Sequence, residues 1–316
     1  MAPILLLVAA ENDPEDRIRR GVEAAAGRPV LLARGPEEAA AAVREAEILL
    51  AFSPSITASL LANARRLRWI QLLGSGYDGV LEAVSARPGL LVTSGRGAQA
   101  APVSEAVLAL MLALARDLPR IVRNQDERKW ERRPARLLQG STVTIVGLGA
   151  IAAALGPKCK ALGMEVVGVS SAPRPVPGFD AALPLTALHC ALGRADYVVV
   201  LTPLTASTRR LIDGAAIAAM KPGACLVNAA RGPVVDEAAL AAALRDGRIA
   251  GAALDVFEEE PLPSSSPLWS APATIVSPHV AGLNLDYAAE LLPIIGENLR
   301  CFFAGDVSAM RNVISR

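Results

Sequence analysis

The chain has 316 residues, enough for about two domains at ~100 to 200 residues per domain and for a large core. Lys and Arg number 32 against 31 Asp and Glu, so the net charge of +1 creates no overall field that would attract nucleic acid or an anionic membrane. The composition is 52% hydrophobic and 20% charged, which excludes an extended disordered protein. Aromatic residues make up 3%, so we expect a core of aliphatic side chains.

Cysteines and histidines are few, and this limits metal and redox chemistry. The four cysteines are Cys159, Cys190, Cys225 and Cys301. They lie far apart without a CxxC pair, so neither a zinc site nor a disulfide framework is expected. The two histidines, His189 and His279, are too few for a histidine-based metal cluster. We therefore predict no metal, and reduced thiols that fit a cytoplasmic location.

The first apolar run, at residues 4–10, allows two interpretations. Val8-Ala9-Ala10 resembles a signal-peptidase site, but no basic residue precedes the run. Residues 11–14 resemble equally well the turn after a buried strand. We favour the strand over a secretion signal. A second apolar stretch, at residues 106–115, is too short to span a bilayer and predicts a buried helix.

From residue 1 to about residue 95, short apolar runs alternate with stretches rich in Ala, Arg and Glu. The alternation predicts βα units around a parallel sheet, because parallel strands are covered on both faces and need continuous apolar runs. The predicted strands are residues 4–8, 30–33, 48–51, 69–73 and 90–93. A helix at residues 102–116 follows them, and the polar stretch at residues 117–139 predicts a connector or an arm.

A second αβ alternation begins at residue 142. Its predicted strands are residues 142–146, 165–169, 197–201, 225–228, 249–254 and 274–276. Six strands match a dinucleotide-binding sheet. An amphipathic helix from Tyr287 to about Phe303 is not required by that count, and we expect it to return to the first domain.

The first strand of this second set ends in a glycine-containing turn that leads into a helix. Gly147 permits a tight turn, and Gly149 allows a pyrophosphate to approach the positive N-terminus of the helix. Ala152 is small enough for the third position of the dinucleotide fingerprint. Such a turn can be purely structural, but the order of strand, turn, helix and strand favours a cofactor site. Pro157 is expected to kink the helix.

The second strand lacks the acidic residue that would bind the adenosine ribose. Ser170, Ser171 and Arg174 occupy the region where a 2′-phosphate would be recognised. This favours NADP(H), with NAD(H) as the alternative cofactor. Arg174 could also be an ordinary solvated loop residue.

Three further segments, at residues 221–236, 253–262 and 277–282, each follow a predicted strand. Since the carboxyl ends of parallel strands face one crevice, we expect Arg231, Glu260 and His279 to converge. A guanidinium, a carboxylate and an imidazole suit hydride transfer to a 2-oxo acid, because they supply a charge for the carboxylate and a proton for the new alcohol. Each residue taken alone has a simpler interpretation: Arg231 as a surface residue and Glu260 as part of a solvated acidic run.

The order of these motifs carries a resemblance. The matching segments are residues 147–152, 202–205, 228–232, 255–262 and 278–282. With them, the chain resembles the D-isomer specific 2-hydroxyacid dehydrogenase family, most closely its glyoxylate/hydroxypyruvate reductase branch. The resemblance implies an α/β fold of two doubly wound parallel-sheet domains. A Rossmann cofactor domain (98–286) would be inserted into a flavodoxin-like substrate domain (1–97 and 287–316), and cofactor domains would pair in a homodimer.

The resemblance also implies roles for individual residues. Arg231 would hold the substrate carboxylate and carbonyl, His279 would be the acid/base, and Glu260 would orient and charge His279. The implied substrate-binding residues are Gly74, Ser75, Gly76, Arg231 and His279, and backbone amides at residues 73–76 would complete the carboxylate pocket. The implied cofactor-binding residues are Gly147, Gly149, Ala150, Ile151, Ser170, Ser171, Arg174, Thr202, Pro203, Ala229, Ala230, Asp255 and His279. Asp255 would lie near the nicotinamide end of the cofactor. Ser75 departs from the small apolar residue that is commoner at this position in the family.

The leading functional hypothesis is an NAD(P)-dependent oxidoreductase that acts on a small 2-oxo acid or D-2-hydroxy acid of the glyoxylate or hydroxypyruvate type. No nucleic-acid or membrane partner is expected. Formate dehydrogenase is disfavoured, because hydride loss from formate needs no acid/base carboxylate and the chain has Glu260. Phosphoglycerate dehydrogenases usually carry a further regulatory domain, for which no residues remain after Arg316. The alternative is a nucleotide-sensing, non-catalytic interaction protein on the same scaffold.

Overall fold

A computed structural model describes residues 3–9 and 16–315. Ala10 and the turn expected at residues 11–14 lie outside the described residues. The chain forms two compact units. Unit 1 comprises Met1–Gln99 and Asn284–Arg316, and unit 2 comprises Ala100–Leu283.

The strands and helices alternate along most of the chain, as the apolar runs indicate. The strands are β1 Ile4–Leu7, β2 Val30–Ala33, β3 Ile48–Ala51, β4 Trp69–Leu72, β5 Leu91–Thr93, β6 Thr142–Val146, β7 Glu165–Ser170, β8 Ala181–Pro184, β9 Tyr197–Val200, β10 Cys225–Asn228, β11 Gly251–Leu254, β12 Thr274–Val276 and β13 Val313–Ser315. The helices are α1 Arg17–Ala26, α2 Pro36–Ala42, α3 Ala58–Asn63, α4 Val80–Val84, α5 Ala100–Ala115, α6 Leu118–Asp126, α7 Ala150–Ala161, α8 Leu188–Arg194, α9 Gly214–Ala219, α10 Glu237–Arg245 and α11 Tyr287–Ala304.

Unit 1 contains a six-stranded sheet with the order β13-β5-β4-β3-β1-β2. Strands β1 to β5 are parallel to one another and lie in the doubly wound order β2-β1-β3-β4-β5 of a flavodoxin-like fold. The apolar runs predict these five strands but not β13, which pairs antiparallel with β5. β13 is three residues long and only partly buried, so no continuous apolar run marks it.

Helix α11 packs on the sheet of unit 1 through Tyr287, Leu291, Ile295 and Leu299. The four-residue spacing places these side chains on one face, as expected for an amphipathic helix. Asn298 on the same helix is fully buried, and its side-chain amide donates to Gln71 Oε1 at 2.9 Å. This buried pair joins α11 to β4.

Unit 2 contains a seven-stranded parallel sheet with the order β12-β11-β10-β9-β6-β7-β8. The order reverses beside β6, which is the switch point of a Rossmann fold. Apolar clusters cover both faces. Six of these strands are predicted from the sequence, and the seventh is β8, an edge strand whose side chains are only partly buried. Its alanine-rich sequence carries little strand propensity.

The polar stretch predicted as a connector at residues 117–139 is partly helical, because it contains α6. After α6, Trp130 is 94% exposed and Glu131 binds Arg120 and Arg133. Hydrogen bonds from Asn124 and Arg133 lower the pKa of Glu131 to about 2. Helix α7 continues through Pro157, and the kink stays a prediction.

Among the helices of residues 3–9 and 16–315, none combines the length and the apolar character needed to cross a membrane. The cytoplasmic location stays a prediction.

Candidate active site

The glycine turn between β6 and α7 lies against the end of β9. Gly147 has φ +107°, and a Cβ atom built there would lie 2.7 Å from both the Leu201 carbonyl carbon and the Thr202 nitrogen. Only glycine fits this approach. Gly149 caps α7, and a Cβ built there would meet nothing within 4 Å. The helix N-terminus, which begins with Ala150 and Ile151, is therefore open to an anionic group.

The loop after β7 lies beside this turn. The Arg174 guanidinium donates to the Leu148 carbonyl oxygen at 3.4 Å, which brings its charge back to the glycine turn. Ser170 Oγ accepts the Ala172 amide at 3.2 Å, and Ser171 is exposed. Residues 170–178 include no acidic side chain.

The loop after β9 is held by threonine hydroxyls. The Thr208 hydroxyl donates to the Pro203 carbonyl oxygen at 2.6 Å and accepts the Thr205 amide at 2.7 Å. These bonds shape the loop that begins with Thr202, a buried residue. Thr208 was missed by the sequence analysis because it lies outside the matching motif.

The loop after β10 carries Arg231. Asn228 bridges it: its Oδ1 accepts the Ala230 amide at 3.1 Å and its Nδ2 donates to the Arg231 carbonyl at 3.1 Å. Ala229 and Arg231 are half-buried. A Cβ atom built on Gly232 would lie 1.8 Å from the carbonyl carbon of Phe257. The Arg231 loop is therefore packed directly on the loop after β11.

The loop after β11 carries Glu260, and the structure brings this residue to His279. Glu260 Oε2 lies 2.7 Å from His279 Nδ1, while Glu260 Oε1 accepts the Phe257 amide at 2.9 Å. The side chains are 36% and 48% exposed, respectively. Because Nδ1 faces the carboxylate, Nε2 on the other side of the ring is the atom available for chemistry.

Asp255, at the end of β11, shapes the loop that carries His279. Its Oδ1 accepts the Ser277 hydroxyl at 2.6 Å and the Val280 amide at 3.0 Å, and its Oδ2 accepts the Ala281 amide at 3.0 Å. Asp255 is 2% exposed. The Asp255 carboxylate thus fastens the loop on both sides of His279, whose φ is +56°. No sequence motif marks this contact, and the role of Asp255 in cofactor binding stays a prediction.

The glycine loop proposed for substrate binding lies in unit 1, where it has its own contacts. The Leu73 amide donates to the Ala51 carbonyl at 2.9 Å, and the Ser75 amide and hydroxyl both donate to Gln99 Oε1, at 3.4 and 3.2 Å. Two of the amides expected to face a carboxylate therefore have partners within the protein. The expected role rests on the amides of Gly74 and Gly76 and stays a prediction.

The remaining candidates lie apart from these loops. His189 is exposed on α8. Cys159 and Cys225 are buried, and burial raises the pKa of each thiol to about 11. In the part of the chain that the structure describes, no three His, Cys, Asp or Glu side chains form a group that could hold a metal ion.

A family model described as "D-isomer specific 2-hydroxyacid dehydrogenase, NAD binding domain" matches residues 108–281, more than half of the chain. The chain belongs to the D-isomer specific 2-hydroxyacid dehydrogenase family. The match contains the glycine turn and the residues Arg231, Glu260 and His279.

Similar members of the family have different names. An (S)-sulfolactate dehydrogenase of Chromohalobacter salexigens is 38% identical over 251 residues, covering 76% of this chain and 79% of that protein. A glyoxylate reductase of Korarchaeum cryptofilum is 33% identical over 258 residues, covering 80% and 78%. A D-3-phosphoglycerate dehydrogenase of Mycobacterium tuberculosis is 36% identical over 270 residues, covering 84% and 51%. The chain thus spans about half the length of the phosphoglycerate dehydrogenases that it matches.

Solved structures of the family agree with the fold. A family protein from Aeromonas salmonicida has a TM-score of 0.89 and 34% identity, with 100% of this chain and 99% of that chain covered. A family protein from Xanthobacter autotrophicus Py2, in complex with NADPH and MES, has a TM-score of 0.82 and 33% identity, with 100% and 98% covered.

Proposed function

We propose that this family member is a reductase that transfers a hydride between NAD(P)H and a small 2-oxo acid, forming a D-2-hydroxy acid. The observation that carries the proposal is the 2.7 Å contact between Glu260 Oε2 and His279 Nδ1. A histidine paired in this way can donate a proton from Nε2 to a carbonyl oxygen, while the carboxylate stabilises the imidazolium. The packing of Gly232 on Phe257 joins the Arg231 loop to the same group of loops.

The proposed roles divide the reaction among three side chains. His279 gives its proton to the carbonyl oxygen of the 2-oxo acid, which becomes the hydroxyl of the product. Glu260 keeps the ring oriented through Nδ1. Arg231 binds the substrate carboxylate, because its planar guanidinium can form two parallel hydrogen bonds with a carboxylate.

The residues of unit 2 fit a dinucleotide. The cradle at Gly147 and the open N-terminus of α7 beyond Gly149 suit a pyrophosphate. Bound NAD(P)H would supply the hydride. We propose a preference for NADPH, since Arg174 reaches the glycine turn and residues 170–178 include no acidic side chain that would repel a 2′-phosphate.

The proposed substrate is glyoxylate or hydroxypyruvate. The similarity to a glyoxylate reductase supports this class. Sulfolactate and phosphoglycerate dehydrogenases among the relatives make the analogous oxo acids necessary competitors in any assay.

We also propose that two copies of the chain pair through unit 2. Apolar side chains on and after α6 are exposed: Ile121 is 48%, Val122 56% and Leu137 63% exposed, and Trp130 is 94% exposed. Apolar groups collected in one segment suit an interface with a second copy. Sedimentation equilibrium of the wild type and of Trp130→Glu tests this, with a dimer expected for the wild type and a weaker one for the variant.

The function is tested by the oxidation of NADPH and NADH with purified protein and glyoxylate, hydroxypyruvate, 3-sulfopyruvate or 3-phosphohydroxypyruvate. We expect turnover with glyoxylate or hydroxypyruvate, and we expect His279→Asn to abolish it. Cofactor binding without turnover of any of these acids would contradict the proposal and favour a nucleotide-sensing interaction protein.

A further inference from the structure

Glu237 is a charged residue next to the proposed site to which no role has been assigned. It is the first residue of α10, and its side chain is half-buried. Its carboxylate accepts a hydrogen bond from the backbone amide of Glu258. Glu237 thereby reaches from α10 to the loop after β11.

The segment that receives this contact is the turn at residues 257–260, here called the acidic turn. It is neither helix nor strand, so its shape depends on local contacts. The Phe257 amide donates to Glu260 Oε1, the Glu258 amide donates to Glu237, and Gly232 packs against the intervening peptide group. Two other segments of unit 2, those that carry Gly232 and Glu237, thus hold the acidic turn that presents Glu260 to His279.

Several charged groups surround Glu237. Burial raises the pKa of the Glu237 carboxyl, and the charges of Glu258 and Glu260 raise it further, while the hydrogen bond from the Glu258 amide lowers it. Arg210 lies 3.9 Å from both Asp236 Oδ2 and Glu258 Oε1. The position at the start of α10 favours negative charge. The hydrogen bond from the Glu258 amide partly offsets the unfavourable effect of burial and of the neighbouring carboxylates on the ionised Glu237 side chain.

We propose that Glu237 is a positioning residue, which holds the Glu258 peptide so that Glu260 faces Nδ1 of His279. The inference rests on the proposed function, because it assigns Glu237 to the acid/base pair of that reaction. Glu237 does not touch the reacting atoms. It acts through the acidic turn, where a displacement of about 1 Å can cost up to 100-fold in rate.

The acceptor and the charge of Glu237 can be separated by substitution. Glu237→Gln keeps an oxygen that can accept the Glu258 amide, whereas Glu237→Ala removes the acceptor. Glu259→Gln is a matched control, because it removes a negative charge from the exposed side of the same turn. If Glu237 acts by positioning, the alanine variant disturbs the contact between Glu260 and His279, whereas the glutamine variant largely preserves it.

A direct measurement uses the histidines. The chain has two, His279 and the exposed His189, so NMR of histidine-labelled protein follows His279 with His189 as an internal reference. We expect Glu237→Ala to lower the titration midpoint of His279 by about one pH unit, a tenfold loss of proton affinity, in the same direction as Glu260→Gln. Glu237→Gln and Glu259→Gln should shift it far less, and His189 should not move.

Kinetics supply the second measurement. We expect Glu237→Ala to lower kcat about tenfold with little change in KM, and Glu237→Gln to stay within about threefold of the wild type. An unmoved His279 midpoint in Glu237→Ala, or equal shifts in the alanine and glutamine variants, would overturn the proposal. The NMR titration needs no turnover, so its result stands even if the assays with 2-oxo acids fail.

Discussion

The loops that follow β10, β11 and β12 differ from the loop that follows β7. The first three are joined to one another: Gly232 packs on Phe257, Glu260 meets His279, and Asp255 binds the amides of Val280 and Ala281. At the start of the loop after β7, residues 170–174 make two side-chain hydrogen bonds. Ser170 bonds to a neighbouring amide and Arg174 makes one long bond to the glycine turn.

This difference separates two properties of the protein. The relative positions of the proposed catalytic groups depend on contacts between loops, so a change there should affect stability and activity together. The residues proposed to face the adenosine ribose, Ser170, Ser171 and Arg174, have few partners, and a change there should alter cofactor preference with little effect on stability.

The largest expected effect is that of Gly232→Ala. The new methyl group would overlap the Phe257 peptide, where a built Cβ lies 1.8 Å from a backbone carbon. Overpacking of a core costs about 1 to 3 kcal/mol, and a clash with backbone should exceed the upper end. Urea unfolding and kcat/KM measure the loss. Gly214→Ala is the control, because its nearest contact is 3.7 Å and it should be neutral.

Arg231→Lys should have the next largest effect. The ammonium keeps the charge but cannot bridge a carboxylate in the planar manner of a guanidinium. We expect a loss of about 2 to 4 kcal/mol in transition-state stabilisation, measured as kcat/KM with the 2-oxo acid. Arg209→Lys, on an exposed residue, should behave as the wild type. A kcat/KM of Arg231→Lys within threefold of the wild-type value would show that Arg231 does not belong to the site.

Ser170→Asp tests the other side of the comparison. A carboxylate beside the ribose would repel a 2′-phosphate and accept hydrogen bonds from a diol. We expect roughly ten- to hundredfold preference for NADPH in the wild type, equivalent to one charge-assisted contact of ~1.5 to 3 kcal/mol, and reversal in the variant. The measurement is kcat/KM for both cofactors at one oxo-acid concentration. The free energy of unfolding should stay within about 0.5 kcal/mol, and equal use of NADH by the wild type would contradict the argument.

Glu260→Gln should change the pH dependence more than the maximum rate. Reduction needs protonated His279, so the rate is high at low pH and falls as the proton is lost. The amide keeps the shape of the carboxylate but not the charge that favours the imidazolium. The falling limb of the pH–kcat profile should therefore move to lower pH. An unmoved limb would show that Glu260 and His279 are not coupled.

The smallest expected effect is the pH dependence of stability at Glu237. Its pKa is raised in the folded protein, mainly by burial, so the folded state holds this proton more tightly than the unfolded state. The stabilisation is fully present below the unfolded pKa and is lost as the pH rises through the folded pKa. Urea unfolding at a series of pH values should show the wild type losing stability relative to Glu237→Gln over that interval. Parallel pH curves would contradict this.

The sequence by itself determined the strands whose apolar runs are buried on both faces, since parallel strands must be covered. It also determined the glycine turn at Gly147, because few residues tolerate that backbone, and it indicated the segments that carry Arg231, Glu260 and His279. The edge strands β8 and β13 were missed, because partial burial leaves no continuous apolar run to recognise.

The tertiary structure alone decided how those segments are held. Glu237 and Glu258 are 21 positions apart, and Asp255 and Ser277 are 22 apart. Both separations are far longer than the two- to four-residue spacings that mark one face of a strand or a helix, so no local pattern announces these bonds. They form because the carboxyl ends of neighbouring parallel strands bring the loops together, and buried or half-buried carboxylates must then find donors. The proposed reacting side chains are indicated by the sequence, whereas their orientation follows from the packing of one loop on another.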